Sequence, residues 1–413
     1  MHGPIHIIGG GLAGLSAALA LAGAGRRVSL YEAGPQAGGR CRSYDDALLG
    51  CRVDNGNHLI LSGNRATFAY MDAIGARATL DGPGEPYFPF LDRSTGERWV
   101  LRPSAGRVPW WIFRASRRVP GTRASEYLDL IRLRKAAGTV AEAFGRGPLY
   151  RRLIEPLAVA ALNTRPEHGA AALLAAVVKE TLMQGGHACI PSFPRRSLAE
   201  SLIDPAIATL RAQGADVSLG RRIAGLQIEA GRVKALNTPD GPVSLGNGEA
   251  VILAVPPWVA RDMVPGIGAP DSHESILNIH FRIEADRGRA GFIGIIGGTA
   301  EWVFVKPGHV SVTISAANRM VDQPAEAIAQ AVWPDARAAL MLPEAAPMPA
   351  WRVVKEKRAT FAATAEQDRK RPAARTPVAN LVLAGDWTAT GLPATIEGAI
   401  RSGRTAAGVA LGA

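Results

Sequence analysis

The order of apolar and polar positions at the start of the chain predicts a strand, a tight turn, a helix and a second strand. Residues 5–8 are an apolar run rich in β-branched side chains, as in a buried parallel strand. Residues 12–21 are rich in Ala and Leu, which favour a helix, and Gly23 and Gly25 end it. Residues 27–31 form the second predicted strand. This pattern predicts an α/β fold that begins with a dinucleotide-binding βαβ unit.

The glycines between the first strand and the helix have separate mechanical roles in such a unit. Gly9 permits the tight turn, Gly11 lets a pyrophosphate approach the backbone, and Gly14 lets the helix pack closely on the strand. The amides of the first helical turn, from Leu12 and Ala13, would point at the phosphates. The sequence therefore predicts a phosphate site at this turn.

A carboxylate after the second strand narrows the choice of cofactor. Glu32 follows the glycine cluster by roughly 20 residues, where it can accept hydrogen bonds from both ribose hydroxyls of an adenosine. A negative charge there disfavours a 2′-phosphate, so NADP is not expected. The motif by itself leaves NAD and FAD open.

Two more segments carry polar groups suited to a dinucleotide. Gly39 and Arg40, in the sequence GGR, can wrap over the pyrophosphate with the guanidinium as counter-charge; a basic surface turn is the alternative. Near the C-terminus, residues 381–384 predict a buried strand that ends at Gly385 and Asp386. Asp386 would meet ribityl or pyrophosphate groups.

A final helix is predicted from about residue 394. Its first residues, Thr395, Ile396 and Glu397, would aim the positive end of the helix at the N1–C2=O edge of a flavin. That orientation stabilises the anionic reduced flavin.

Together, GGGLAG with Glu32, then GGR, then AGDW and ATIEGAIRSG resemble the FAD-dependent amine oxidase and phytoene desaturase superfamily. The resemblance covers essentially the whole chain and implies FAD as the cofactor. It also implies a mixed α/β (α+β) architecture, in which a discontinuous Rossmann-like FAD-binding domain is interrupted by a mixed-sheet and helical substrate domain.

The middle of the chain supplies the remaining part of the predicted FAD domain. A helix is predicted at 198–213, a strand at 217–219, a hairpin at 222–235 and a central strand at 249–257. The resemblance implies adenine contacts near Ile223. The expected FAD-binding segments are 1–75, 195–260 and 375–413, and the expected substrate-domain segments are 76–194 and 261–374.

A basic segment within the substrate domain predicts contact with a membrane surface. Residues 102–135 hold nine basic and two acidic residues. Within them Trp110, Trp111, Ile112 and Phe113 are consecutive and are flanked by arginines. Aromatic side chains framed by arginines suit the headgroup level of an anionic bilayer. The alternative is a domain interface with buried tryptophans.

Composition limits the other possibilities. The chain has 413 residues and a net charge of +11, but no recognised nucleic-acid fold accompanies the charge, so nucleic acid is not an expected partner. The three cysteines form no CxxC pair, so neither a disulfide framework nor a metal site is expected. The low cysteine count instead favours a reducing cytoplasm. The first strand begins too early for a signal peptide, and no run of about 18 apolar residues predicts a spanning helix. The expected location is the cytoplasm, peripherally on the inner face of the cell membrane.

Four inner segments resemble a narrower group. The sequences at 53–61, 155–182, 251–260 and 300–306 are similar to the squalene-associated FAD-dependent desaturases, which are understood as hydroxysqualene dehydroxylases. The resemblance implies an isoprenoid substrate: hydroxysqualene loses its hydroxyl group as water, and reduced FAD delivers hydride to the allylic cation. Asn57 is expected near the flavin, although relatives carry Gln there.

The proton donor for the leaving hydroxyl is predicted in the same loop. His58 would donate the proton and Asp54 would orient it; the alternative is a structural turn. Lys306 invites comparison with the flavin-facing lysine of amine oxidases, but its flanking residues resemble the squalene group.

Two rival functions remain open. A carotenoid desaturase or amine oxidase would use the same FAD site to oxidise its substrate, although no cysteine follows Cys189 to attach a flavin covalently near the C-terminus. A prenyl carrier of the GDP-dissociation-inhibitor type would need no complete flavin cradle, whereas this chain has one. The electron donor and the oligomeric state are not indicated.

Overall fold

Between Leu101 and Pro191 the described residues form short helices and no strands, and the strands lie before and after that segment. The computed structural model describes residues 3–133 and 137–412. The strands are β1 (Ile5–Ile8), β2 (Val28–Tyr31), β3 (Ser43–Asp46), β4 (Cys51–Asp54), β5 (Ile60–Leu61), β6 (Leu80–Asp81), β7 (Phe88–Asp92), β8 (Arg98–Leu101), β9 (Pro191–Pro194), β10 (Asp216–Ser218), β11 (Gly225–Glu229), β12 (Arg232–Thr238), β13 (Gly241–Ser244), β14 (Ala250–Leu253), β15 (His273–Phe281), β16 (Phe292–Ile296), β17 (Trp302–Lys306), β18 (His309–Ile314), β19 (Trp351–Phe361) and β20 (Leu381–Leu383). The helices are α1 (Leu12–Gly23), α2 (Arg65–Ala73), α3 (Leu128–Arg132), α4 (Val140–Ala143), α5 (Glu155–Leu162), α6 (Ala171–Glu180), α7 (Asp204–Ala212), α8 (Pro257–Met263), α9 (Ala325–Ala339), α10 (Ala365–Arg369) and α11 (Ile396–Leu411).

A parallel sheet joins the two ends of the chain. Its five strands lie in the order β10, β2, β1, β14, β20, and every neighbouring pair is parallel. The central strands are short apolar runs that are almost fully buried, which is typical of a sheet covered on both faces. The carboxyl ends of β1, β2 and β20 therefore meet at one edge, where ligands bind in folds of this class.

Helix α11 packs on α1 at very short range. A Cβ atom on Gly403 would overlap the carbonyl oxygen of Ala13. Beside this contact, the hydroxyl of Ser16 donates to the carbonyl oxygen of Ile400 at 2.8 Å. This close approach packs the middle of the last helix against the first turn of α1, next to the glycine turn.

A second, larger sheet is mostly antiparallel. Its strand order is β19, β15, β18, β17, β16, β7, β8, with one parallel pair between β7 and β16. Helix α9 covers one face through apolar residues such as Ile328 and Val332. In β18, whose sequence is HVSVTI, the apolar residues face α9 and the polar residues face the other side.

Two predicted elements differ from the structure in detail. The hairpin expected at 222–235 begins later, at β11, and gains a third strand, β13. The helix expected at 198–213 consists of a π-helical turn (Ala199–Ile203) followed by α7. Pro205 has no amide hydrogen to donate to the preceding turn, which explains the change in winding. In the described part of the chain, no helix combines the length and apolar character needed to cross a bilayer.

Candidate cofactor-binding and active site

The glycine turn after β1 is crowded on two sides and open on a third. Gly9 has φ 109°, and a Cβ there would overlap the carbonyl oxygen of Ala254. A Cβ on Gly14 would overlap the Gly9 carbonyl oxygen, so α1 approaches the strand more closely than another residue would allow. A Cβ on Gly11, in contrast, would meet no atom within 4 Å. The open side lies over the N-terminus of α1, where a diphosphate can bind free amides.

Glu32 holds this turn from the end of β2. Its carboxylate oxygens accept hydrogen bonds from the amides of Gly10 and Gly34, each at 2.7 Å. Each oxygen keeps a second lone pair, so the half-buried carboxylate can also accept from ribose hydroxyls. The amide of Arg221 donates to the Glu32 carbonyl oxygen at 2.8 Å, which brings the buried Ile223 to the same end of the sheet.

Arg40 and Asp386 meet across the site from distant parts of the sequence. The guanidinium Nη2 donates to Asp386 Oδ1 at 2.5 Å, and Nη1 donates to the carbonyl oxygen of Ala359 at 2.7 Å. Gly39, with φ 56°, lies against the Cα of Gly11. The GGR segment therefore borders the glycine turn, and Arg40 retains N–H donors for a phosphate.

The start of α11 presents free backbone donors. Thr395 caps the helix through its hydroxyl. The amides of Ile396 and Glu397 belong to the first turn and have no acceptor within the helix. Gly385, just after β20, donates its amide to Ser402 of the same helix at 2.9 Å. These contacts fix the helix end relative to the parallel sheet.

The side chain of Glu397 has a structural role that its position in sequence does not reveal. Its buried carboxylate accepts from the amides of Ala66 and Thr67, at 3.0 and 2.8 Å, and from the Thr67 hydroxyl. Arg401 pairs with it at 2.8 Å. Glu397 therefore caps helix α2, and it faces a cofactor through its backbone amide alone.

The donors at this edge fit FAD. Open space and free amides over Gly11, with the Arg40 guanidinium, suit the diphosphate, and the Glu32 carboxylate suits the ribose. The positive end of α11 suits the pyrimidine edge of an isoalloxazine ring.

A buried ion pair lies behind the loop that follows β4. Lys306 Nζ is 2.5 Å from Asp54 Oδ2, and the side chains are 3% and 1% exposed. The other carboxylate oxygen accepts from the Ser43 hydroxyl at 2.5 Å and the Leu198 amide at 2.8 Å. Burial raises the pKa of Asp54, but Lys306 and these donors outweigh it and hold the pKa below its ordinary value. Lys306, Ser43 and Leu198 are the hydrogen-bond partners of the Asp54 carboxylate among the described residues, and His58 is not one of them, so the structure gives no support to the expected orientation of His58 by Asp54.

The next residues of the loop meet the polar face of the large sheet. Asn57 Nδ2 donates to the hydroxyls of Ser311 and Thr313, at 2.7 and 3.0 Å. Thr313 in turn donates to Asn278 Oδ1 at 2.9 Å. The Asn57 Oδ1 atom is buried and has no partner among the described residues. A ligand donor would satisfy that oxygen.

His58 is half-buried and forms no hydrogen bond with the described residues. Burial lowers its pKa to about 4; the charges of Lys306 and Arg40 act in the same direction, and Asp54 opposes them. At neutral pH the ring is therefore mostly neutral. The structure therefore disfavours His58 as the proton donor.

In the aromatic segment Trp110–Phe113, two side chains are exposed and two are buried. Trp110 and Phe113 are 67% and 63% exposed, whereas Trp111 and Ile112 are 6% and 7% exposed. The segment is a 3₁₀ turn, in which residues three apart share a side. Trp111 packs edge-on against Tyr127, with ring centroids 5.2 Å apart. The prediction that all four residues face a membrane is therefore wrong for Trp111 and Ile112.

The polar face of the large sheet was not anticipated from the sequence. It places Asn278, Ser311, Thr313 and Lys306 beside the loop after β4. The signal was present in the alternation of β18, where every second residue is polar. The alternation shows that one face is polar but cannot show which loop meets it.

Comparison with known proteins supports the same assignment. The family model for flavin-containing amine oxidoreductases matches residues 12–283 and 304–411. A hydroxysqualene dehydroxylase from Zymomonas mobilis is 45% identical over 98% of both chains. One from Rhodopseudomonas palustris is also 45% identical, over 100% of this chain and 99% of its own. The solved structure of cyclohexylamine oxidase from Brevibacterium oxydans has the same fold, with a TM-score of 0.68, 17% identity and 99% coverage of each chain. The chain therefore belongs to the flavin-containing amine oxidoreductase family and is an FAD-dependent oxidoreductase.

Proposed function

We propose that this enzyme converts hydroxysqualene into squalene by replacing the hydroxyl group with hydrogen. The observation that carries the proposal is the similarity, at 45% identity over essentially the whole chain, to relatives named hydroxysqualene dehydroxylase. The overall change takes up two electrons and two protons and releases one water. Reduced FAD, when bound, supplies the hydride.

The cofactor is held by three segments of the chain in this proposal. The glycine turn and Arg40 bind the diphosphate, Glu32 binds the ribose, and the loop before α11 supports the ring. The residues assigned to cofactor binding are Gly9, Gly11, Leu12, Ala13, Gly14, Glu32, Gly39, Arg40, Asn57, Ile223, Gly385, Asp386, Thr395, Ile396 and Glu397. Asp54 is assigned a positioning role, because it anchors the loop that carries Asn57 and the neutral His58.

The inserted part of the chain suits a hydrocarbon. Half-buried apolar residues of α5, α6 and the following turn border its core: Leu157, Ala161, Ala175, Leu182 and Met183. An apolar lining excludes water, which would otherwise capture a cationic carbon.

We also propose the five-segment domain division set out from the sequence. All strands of the parallel sheet lie within residues 1–75, 195–260 and 375–413. All strands of the seven-stranded sheet lie within residues 76–194 and 261–374.

Peripheral docking on an anionic membrane, at the cytoplasmic face, is part of the proposal. Trp110 and Phe113 project outward with their rings 6.2 Å apart, and Arg107 and Arg114 beside them are exposed. Two aromatic rings framed by guanidinium groups suit insertion at the headgroup level, from which an apolar substrate could load directly. Arg134 and Lys135 of the basic run lie outside the described residues.

The test of the function is a single anaerobic reaction. Protein loaded with FAD and reduced by dithionite is mixed with hydroxysqualene, and the products are identified by mass spectrometry. We expect squalene in an amount equal to the reduced flavin. Recovery of unreacted alcohol would refute the proposal, and a more unsaturated product formed by oxidised enzyme would indicate a desaturase.

A further inference from the structure

Glu301, the residue just before β17, has no part in the cofactor cradle. The amide of Glu301 donates to the carbonyl oxygen of Thr313 at 3.1 Å, although Trp302 is the residue paired with Thr313. Two consecutive residues of one strand thus oppose one residue of the other, which is the arrangement of a β-bulge. Bulges redirect side chains and are frequent beside active sites.

The carboxyl group of Glu301 is held by a single residue. Oε2 accepts from the amide of Ser315 at 2.8 Å, and the Ser315 hydroxyl also donates to the carboxyl group. Within residues 3–133 and 137–412, no Lys or Arg forms an ion pair with it. Ala300 and Ser315 are buried, yet Glu301 itself stays partly accessible. The carboxyl group therefore remains accessible between buried neighbours.

One contact connects Glu301 to the loop after β4. Thr313, which faces Glu301 across the strand pair, accepts a hydrogen bond from Asn57 at 3.0 Å. The same Asn57 carries the buried, unpaired oxygen. Glu301 therefore lies next to Thr313, whose side chain contacts Asn57 at the polar face of the large sheet.

A second chain of contacts connects Glu301 to the cradle. Next to Ser315, the amide of Ala316 donates to Asn163 Oδ1 at 2.7 Å, and Asn163 Nδ2 donates to Thr360 at 2.9 Å. The residue before Thr360 supplies the carbonyl oxygen that Arg40 binds. Asn163 and Ala316 both adopt left-handed backbone conformations, with φ 48° and 45°. Such strained residues cluster at functional sites.

The electrostatic surroundings suit a group that gives up a proton near neutral pH. Burial raises the pKa of Glu301 to about 7, while the amide and hydroxyl of Ser315 and the charges of Arg319 and Arg165 lower it in part. About half of such groups are protonated at pH 7, which is the condition under which a general acid works best.

We infer that Glu301 donates the proton to the hydroxyl group that leaves the substrate, an inference that rests on the proposed dehydroxylation. The carboxyl O–H bond breaks as the proton moves to the hydroxyl oxygen. The C–O bond then breaks, its electron pair leaves with water, and the allylic carbon becomes cationic. The Glu301 carboxylate left behind stabilises that cation by its charge. The new C–H bond takes its electron pair from the reduced cofactor, and a solvent proton restores the acid.

The test compares Glu301→Gln with the control Glu155→Gln. Glu155 is also a half-buried carboxyl whose pKa burial raises, but it lies at the start of α5. Gln keeps the oxygen that accepts from Ser315, so E301Q should fold and keep its FAD. In infrared difference spectra of FAD-loaded protein, a carboxyl band that titrates near pH 7 should be present in wild type and E155Q and absent in E301Q. Its presence in E301Q, or its absence from wild type, would overturn the inference.

Single-turnover rates of pre-reduced protein give the second readout. E301Q should be slower than wild type by about 100-fold or more. The wild-type rate should fall about tenfold per pH unit above pH 7, and the E301Q rate should not change with pH. E301D, which keeps an ionisable carboxyl, should turn over faster than E301Q. Two results would overturn the role of Glu301 and leave the proposed function standing. One is turnover of E301Q within about threefold of wild type, and the other is turnover of E301D no faster than that of E301Q. Failure of wild type to form squalene would overturn the proposed function and this inference together.

Discussion

Replacing Lys306 by Met tests whether the buried ion pair anchors the loop after β4. Met matches the length of the lysine stem but removes the ammonium. The buried Asp54 carboxylate then keeps two of its three hydrogen-bond donors, the Ser43 hydroxyl and the Leu198 amide. Removing one partner of a buried pair costs about 3–5 kcal/mol in the free energy of unfolding. Because Ser43 and Leu198 still donate to the carboxylate, we expect a loss near 3 kcal/mol at pH 7.

The double variant Asp54→Asn/Lys306→Met provides the matched control. Asn can accept the hydrogen bonds of Ser43 and Leu198 without a charge, so most of the lost stability should return. The double-mutant cycle should give a coupling energy of about 2 kcal/mol. Lys306→Met should also weaken FAD binding, because the loop that carries Asn57 loses its anchor.

The pH dependence of the loss follows from the direction of the Asp54 shift. In wild type the pKa of Asp54 lies below its ordinary value, so its stabilising contribution is present above that value and is lost as pH falls through the folded-state pKa. In K306M, burial without the ammonium should raise the pKa of Asp54 above the ordinary value. The penalty in K306M should therefore shrink as the pH is lowered through that raised pKa.

The measurement is urea unfolding of wild type, Asp54→Asn, Lys306→Met and the double variant at a fixed free FAD concentration, since cofactor binding shifts apparent stability. Tryptophan fluorescence and flavin release should be followed together. A loss below about 1 kcal/mol in K306M, or a double variant no more stable than K306M, would contradict the assigned role.

Three further predictions concern the cradle, the helix packing and the membrane surface. Glu32→Ala should strip the flavin, because it removes the ribose acceptor and leaves the amides of Gly10 and Gly34 without their acceptor; full absorbance near 450 nm after gel filtration would contradict this. Gly403→Val should destabilise the fold by about 3 kcal/mol or more and lower FAD content, since its side chain would push α11 away from α1; an unchanged unfolding midpoint would count against the packing argument. Replacing Trp110 and Phe113 together by Ser should reduce sedimentation with anionic liposomes and leave the flavin in place, whereas Met341→Ser, at another exposed apolar site, should not; equal binding of all three proteins would argue against docking.

Local sequence was sufficient to locate a dinucleotide site, and the resemblance of these segments to the amine oxidase superfamily added FAD as the cofactor. The glycine spacing after β1, Glu32 at the end of β2 and the terminal strand-to-helix segment each lie within a short stretch of chain. Their roles depend on backbone freedom, on a single carboxylate and on a helix end, all of which can be recognised from neighbouring residues. The parallel sheet could be predicted for the same reason, because its central strands are short apolar runs.

The partners of the active-site groups depended on the tertiary structure. Asp54 pairs with Lys306, which lies 252 positions along the chain, rather than with nearby His58. No pattern within the loop specifies that choice, because the register of the large sheet decides which side chains face it, and a shift of one residue would turn them to the other side.

What the sequence by itself determined is therefore the FAD cradle and the kind of fold, since both follow from residues close together in the chain. Only the tertiary structure decided that Trp110 and Phe113 point outward, that Glu397 caps a helix and that Glu301 accepts a hydrogen bond from the amide of Ser315. The physical reason is that exposure, ion pairing and proton affinity depend on which segments pack together, and partners such as Thr67 and Glu397 lie 330 residues apart in the sequence.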